Sequence, residues 1–261
     1  MLQVALHLHG TTITVQRRDP ENDDGQDPNF FDQDYSVAAS TGGLLWEGSW
    51  AAIELLRHTE SFLSRSLRGK RVVELGAGVG LLGLCAAAGG AHVLLTDVPA
   101  VVSDMLLPNI AANASAPAEA AAAWPGARSV GSGSALAQPL DWQRALAEQC
   151  ALVDPRGADV ILAAECVWLN ELVDPFVSTV VGLMQLHTVC ILAFRERAVE
   201  TSQVFASARS VLDRFRAFGF TVLAHGDFPV NVEDAPESVG LLTGIWEISR
   251  PQLENGGPVT S

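Results

Sequence analysis

The stretch Glu74-Leu75-Gly76-Ala77-Gly78-Val79-Gly80 constrains this chain more than any other. The short apolar run Arg71 to Leu75 leads into it. The apolar segment Leu81 to Ala88 follows and stops at Gly89-Gly90. The first reads as a buried strand and the second as a helix. Gly76 and Gly78 take backbone angles that other residues avoid, and they let a ligand approach the main chain. A strand, a glycine turn and a helix together place a ligand at the carboxyl end of the strand, near the point where the sheet changes direction.

The rest of the chain supplies the sheet. His92 to Thr96 is a second strand, and Asp159 to Ala164 and Thr188 to Phe194 are two more. Between them, helical spacing marks Trp50 to Leu67, Pro99 to Asn113 (with Pro108 as a kink), the Leu172–Met184 stretch and Val204 to Phe218. Ala111 to Ala137 is rich in Ala, Ser, Gly and Pro. It reads as an insertion or a frayed helix with a loop, before a weak strand ending near Leu140. Thr221 to Ala224 and Leu241 to Ile248 have no helix-length segment between them, so they pair antiparallel. Alternation of strand and helix from residue 71 to about 220 implies a mostly parallel sheet covered on both faces.

Ahead of this lies a β-hairpin over residues 2–16. Val4, Leu6 and Leu8 share one face, Gly10 breaks the run, and Ile13 and Val15 follow. His7 and His9 fall together on the other face. They read as a solvent-facing pair, because no third metal ligand is near in sequence. Residues 19–34 carry seven acids (Asp19, Glu21, Asp23, Asp24, Asp27, Asp32 and Asp34) and no base, which suits a mobile loop. The organisation expected is a hairpin with an acidic loop over 1–40, a main domain over 41–250 and a disordered tail over 251–261.

Charge and composition exclude several functions. The formal net charge of −14 argues against direct binding to nucleic acid, which needs a basic face, and is compatible with a basic protein partner. No apolar run reaches the ~18 residues that a membrane span requires. Met1 to Gly10 lacks a basic start and does not read as a signal peptide. The cysteines Cys85, Cys150, Cys166 and Cys190 form no Cys-x-x-Cys pair. They suit reduced thiols in the cytosol or nucleus, with no structural zinc.

Two ligand classes fit the glycine turn. Gly78-Val79-Gly80-Leu81-Leu82-Gly83 matches the dinucleotide pattern GxGxxG, with Asp97 to hold a ribose. Two features favour the other class. Glu74 stands two residues before the first glycine, and Gly76 precedes the pattern, giving ExGxGxG. A pyrophosphate prefers donors without a neighbouring carboxylate. S-adenosylmethionine carries a sulfonium and an ammonium and has no phosphate, so acidic surroundings suit it.

At this point a resemblance becomes specific. ELGAGVGLLGL followed by TDVP resembles the class I, seven-β-strand, S-adenosylmethionine-dependent methyltransferases. Four further blocks are similar to methyltransferase family 16, the lysine methyltransferase-like group. They are Thr41-Gly42-Gly43-Leu44-Leu45-Trp46-Glu47-Gly48, Pro108-Asn109-Ile110-Ala111-Ala112-Asn113, Leu140-Asp141-Trp142, and Asp159-Val160-Ile161-Leu162-Ala163-Ala164-Glu165-Cys166-Val167-Trp168. The resemblance implies a Rossmann-like α/β fold: a seven-stranded, mostly parallel sheet with helices on both faces and an antiparallel last strand, added to the N-terminal hairpin.

It also implies roles. Gly76 and Gly78 pack on the methionine part of the cofactor. Asp97 accepts from the ribose hydroxyls, which suits a carboxylate facing a diol. Trp142 stacks beside the adenine with Asp141 near it, Trp46 lines the site from the N-terminal side, and Ala164 borders it. Glu74 orients the loop or holds the ammonium through water; its alternative is a strand-end carboxylate satisfied by local amides. Where the family has Asp-x-x-Tyr, this chain has Glu165-Cys166-Val167-Trp168. Glu165 and Trp168 would then hold the acceptor, the first as an orienter of the amine and the second as an aromatic wall. Arg195 and Arg197 follow the next strand, at the ligand side. The expected activity is methylation of a lysine side chain on a protein. A small-molecule or other-residue N-methyltransferase, and a non-catalytic cofactor-binding interaction protein, stay open on the sequence, as does a nicotinamide enzyme.

Overall fold

The structure, a computed structural model, describes residues 1–19, 41–120, 122–149, 152–196, 202–230 and 242–251. Most of the acidic loop, Cys150, Arg197 and the tail from 252 lie outside the described residues.

The hairpin forms as the alternation requires. β1 (Leu2–Leu8) pairs antiparallel with β2 (Thr11–Arg17), with Leu6 opposite Ile13 and Val4 opposite Val15. These side chains are buried, so one face of the hairpin belongs to the core. The two-residue turn has positive φ at both positions, His9 (49°) and Gly10 (76°), matching the twist of the flanking strands. This separates the two histidines expected on one face. His7 is exposed beside the Thr12 hydroxyl, whereas His9 sits in the turn, 2.7 Å through Nε2 from the Leu56 carbonyl.

Ser61 divides the expected helix of residues 50–67 into α1 (Glu47–Arg57) and α2 (Phe62–Leu67). Its side chain accepts from the Ser64 amide and caps the second helix. β3 (Arg71–Leu75) leads through the glycine turn into α3 (Leu81–Ala88), every residue of which is buried. A helix apolar all round must be covered on all sides. Here the sheet lies beneath it, and the hairpin and α1 lie against it.

β4 (His92–Asp97) is followed by α4 (Pro99–Val101), a π-helical turn over Val102–Leu106, and α5 (Leu107–Asn113). Pro108 therefore sits at the start of a fresh helical segment, where its missing N–H matters least. The low-complexity stretch contains a strand that its composition hides. β5 (Arg128–Val130) forms a tight hairpin with β6 (Gly133–Pro139), Val130 facing Gly133. β7 (Val160–Ala164) leads to α6 (Asn170–Leu183), and β8 (Val189–Phe194) to α7 (Ala208–Ala217). The last helix starts four residues later than its spacing suggests. Ser207 caps it, with the Ser207 and Ser210 side chains satisfying each other's backbone amides. β9 (Thr221–Pro229) and β10 (Leu242–Ser249) pair antiparallel, as expected.

Among the described residues the main sheet has eight strands in the order β5-β6-β4-β3-β7-β8-β10-β9. The extra strand relative to the expected seven is β5, an antiparallel edge addition. The inner strands β6, β4, β3, β7 and β8 run parallel, and β10 runs antiparallel to both neighbours. One core lies between the sheet and α1, α3 and the hairpin, and the other between the sheet and α6 and α7. Successive residues of β3 and β7 feed opposite cores, which is why both strands are apolar apart from Arg71 at the start of β3 and Glu74. Order reverses at β3, so a crevice opens at its carboxyl end.

Candidate active site

The crevice holds a cavity of about 400 Å³, within the ~300–1,000 Å³ usual for small-ligand sites. Gly76 and Gly78 after β3, Asp97 at the end of β4, Trp142 beyond β6, and Ala164, Glu165 and Trp168 beyond β7 all line it. Trp46 closes the N-terminal side, with Thr41 and Gly42 beside it. Of the eleven described residues given roles from the sequence, nine meet on this one surface; Glu74 and Arg195 do not line it.

The turn's shape requires its glycines. Gly76 and Gly78 have φ of 63° and 55°, a region that costs other residues roughly 1–2 kcal/mol. Space is as limiting as angle. A Cβ on Gly76 would overlap that of Cys166 and stand 3.3 Å from the Trp142 ring. A Cβ on Gly78 would stand 3.0 Å from the Gly42 carbonyl.

Asp97 anchors the opposite wall. Its two oxygens accept from the amides of Gly78 and Val98, each at 2.8 Å. One carboxylate thus joins the glycine turn to the β4 end and still faces the cavity. Burial pushes its pKa up to about 6, against the lowering effect of those two amides. The Trp142 ring meets Phe176 edge-on at 5.2 Å, which fixes its plane. Its turn is clasped by Gln149, which accepts from the Asp141 amide and donates to the Asp141 and Arg144 carbonyls. The Trp46 indole nitrogen donates to the Thr41 carbonyl at 3.4 Å, tying the Thr41–Gly48 segment to itself.

Glu74 is the residue that stays away from the cavity. It projects to the opposite side of β3's carboxyl end, under the first turn of α3, and is buried. The Gly83 amide approaches its carboxylate, while Oε2 has no hydrogen-bond partner. Burial and the nearby Asp97 charge push its pKa up to about 8, with the Gly83 amide opposing. It thus lies under the loop, off the cavity lining, with one oxygen near the Gly83 amide and the other unpartnered.

Glu165 has a geometry of its own. It is buried, and its φ of 56° is left-handed although it is not glycine. Its own amide donates to the Ala193 carbonyl at 3.0 Å, and its Oε1 accepts from the Arg195 amide. Gly48 leaves room for its side chain, since a Cβ there would overlap the Glu165 Cγ. Left-handed backbone held at the wall of a cavity is strain retained where the surroundings over-determine it. Cys166 lines the cavity too, and burial raises its pKa well above the ordinary thiol value, which disfavours the thiolate. Arg195 borders a small recess beside Glu165, Val167 and Trp168.

Sequence reasoning missed several contributors. Gln143, Leu169, Glu171 and Leu172 line the cavity without any motif of their own. Asn109 acts from behind: its amide donates to the Val79 carbonyl at 2.9 Å and the Gln16 carbonyl at 3.1 Å, and its oxygen accepts from the Gln16 amide at 2.8 Å. Asn113 makes the same pair of contacts with Thr14. The Pro108–Asn113 block therefore hangs the hairpin on α5 and braces the glycine turn.

A doubly wound sheet with an antiparallel penultimate-position strand, a left-handed glycine turn and an acid closing the second strand define the Rossmann-like fold of the class I methyltransferases. Comparison with known proteins narrows this. The chain belongs to the lysine methyltransferase family, whose profile matches residues 27–211. It is similar to EEF1A lysine methyltransferase 3 of Mus musculus, 29% identical over 173 residues, covering 66% of this chain and 64% of the relative. It is 34% identical over 132 residues to protein N-lysine methyltransferase METTL21A of Danio rerio, covering 50% and 52%. The matched stretches thus span roughly half to two-thirds of those relatives. Among solved structures, the mitomycin 7-O-methyltransferase MmcR superposes with a TM-score of 0.50 at 14% identity, over 78% of this chain and 53% of that one, a likeness of fold.

Proposed function

We propose that this chain methylates a lysine side chain of a protein, with S-adenosylmethionine as methyl donor. The observation that carries the reading is the convergence of Asp97, the two left-handed glycines, Glu165 and Trp168 on one cavity. The residues fit the donor. Asp97 keeps lone pairs toward the cavity for a ribose diol beyond those used on Gly78 and Val98. Trp142 and Trp46 offer apolar walls, and Gly76 and Gly78 leave room against the main chain. Asp97, Asp141, Glu165 and Glu171 make the lining acidic, which favours a cationic ligand. The donor, when bound, supplies a methyl group on a sulfonium for direct displacement.

The chain's own part is alignment. A lysine ammonium has an unperturbed pKa of ~10.4 and must lose a proton before it attacks. Glu165 favours the charged form, so it draws in and orients the amine rather than acting as its base. Trp168 walls the acceptor side, and its face suits first a cation and then a neutral amine. The proton leaves to solvent. No covalent intermediate on the protein is required, in keeping with the raised pKa of Cys166. Holding nucleophile and methyl in line is the source of rate in such a reaction.

The net charge of −14 suits a basic protein acceptor, and free thiols at Cys85, Cys166 and Cys190 suit the cytosol or nucleus. EEF1A, the protein in the mouse relative's name, is the first acceptor to test. Incubation with methyl-labelled donor should put label on lysine; label found on small molecules alone would defeat the reading. Glu165→Gln should lower kcat by at least about 10-fold, in line with the loss of a positioned group. S-adenosylhomocysteine affinity should stay within about twofold in that variant. Equal turnover of variant and parent would remove Glu165 from the acceptor site.

A further inference from the structure

Beside the cavity mouth the structure exposes an aromatic side chain that neither core uses. Phe205 is 44% exposed and its neighbour Val204 is 58% exposed. The Phe205 ring stands 6.3 Å from that of Trp168 at an angle of 31°. Trp168 lines both the cavity and the recess next to it. Aromatic surface therefore continues from the cavity wall outward to solvent.

This surface is held in place. The segment carrying Phe205 runs antiparallel to the start of α6. The Asn170 amide donates to the Val204 carbonyl at 2.9 Å, and the Ala206 amide to the Trp168 carbonyl at 2.9 Å. The Asn170 side chain donates to the Ser202 carbonyl at 3.0 Å. The Ser202 hydroxyl accepts from the Phe205 amide at 3.0 Å. Ring and backbone are thus presented together, with little ordering left to pay for on binding.

From outside inward the order is Phe205 exposed, Trp168 half-buried, Glu165 buried. That gradient matches one kind of side chain: an apolar stem of several methylenes ending in a cation. Building on the proposed lysine acceptor, we infer that Phe205 is a specificity-determining residue that packs on the aliphatic stem of the target lysine and extends the Trp168 wall to the protein surface. Burial of the stem supplies contact, and Glu165 receives the head. Among the described residues Phe205 does not line the cavity that Asp97 borders, so its contribution falls on the acceptor side.

The test uses the full chain saturated with S-adenosylhomocysteine, with Nα-acetyl-lysine methylamide and Nα-acetyl-norleucine methylamide as probes, titrated by NMR. The parent should bind the lysine probe. Phe205→Ala should weaken both probes by about fivefold or more, and Phe205→Leu should restore most of the loss, because the contact is with the apolar stem. Calorimetric affinity for S-adenosylhomocysteine should be the same in all three proteins, which also reports an intact fold. Equal binding of the lysine probe by parent and Phe205→Ala overturns the inference and leaves the lysine reading standing. Loss in Phe205→Ala that Leu does not restore overturns the stem contact. Failure of the parent itself to bind the lysine probe overturns the lysine acceptor and this inference together.

Discussion

Asp97 shows how much one side chain can combine. It fixes the glycine turn through Gly78, accepts from the next amide at Val98, and faces the cavity. Its pKa near 6 sets a pH dependence of binding. Below that value the apo carboxyl is protonated and loses acceptor capacity and charge. S-adenosylmethionine affinity should therefore fall as pH drops from 7 to 5, with proton release on binding near pH 6, both read by calorimetry in buffers of different ionisation enthalpy. Asp97→Asn should weaken binding by about 10- to 100-fold at pH 7.5, the scale of a lost charged hydrogen bond, and flatten that pH profile. Asp97 was legible in the sequence because it ends an apolar strand. Glu74 was not, although it stands in the same motif. Strand side chains alternate between faces, and with both faces of β3 buried, apolar patterning does not tell which side an acid takes.

At the scale of elements, polar side chains replace backbone pairing where the hairpin meets α5. Asn109 makes three hydrogen bonds, two of them to Gln16 and one to Val79, and is buried. Asn109→Ala should cost about 2–3 kcal/mol of stability, at about 1 kcal/mol for each bond. It should also speed hydrogen exchange at the Gln16 amide, and loosen cofactor binding through Val79. A second expectation concerns α3. Alanine normally favours a helix over glycine by about 1 kcal/mol. A Cβ on Gly83, however, would overlap the Glu74 carboxylate and press on Leu95. Gly83→Ala should lower Tm, and Glu74→Ala should recover most of that loss in the double variant, as a thermal-denaturation cycle would show. Helix α7 gives the matching lesson in boundaries. Phe205 has the spacing of its apolar stripe, but the Ser207 cap starts the helix later and frees Phe205 to meet Trp168.

For the whole molecule, two buried acids shape stability. Glu74 is pushed from 4.5 to about 8 and Asp97 from 3.8 to about 6. In both, the fold binds protons that the unfolded chain has released. Stability then declines with rising pH between the unfolded and folded values. The apo protein should lose stability from about pH 4.5 to pH 8, measured by urea unfolding, and Glu74→Gln should flatten the slope over that window. A flat profile in the parent would mean that Glu74 is ionised in the fold. Bound donor, being cationic, should reduce the slope from Asp97 while leaving that from Glu74 largely in place.

The amino-acid sequence alone determined the strand–turn–helix around Gly76 and Gly78, the parallel order of the central sheet, the antiparallel end and the hairpin. These follow from local rules: apolar period, glycine angles, and the short reach between strands. It also picked out nine of the residues that meet at the cavity, because ligands gather at strand ends. Only the tertiary structure decided on which side of β3 Glu74 lies, that Glu165 is wound left-handed against Gly48, that Asn109 braces the loop from behind, and that Phe205 stands beside Trp168. Each of those depends on contacts between residues 30 to 117 apart in the chain or on the choice between two buried faces, and neither is written in any local pattern.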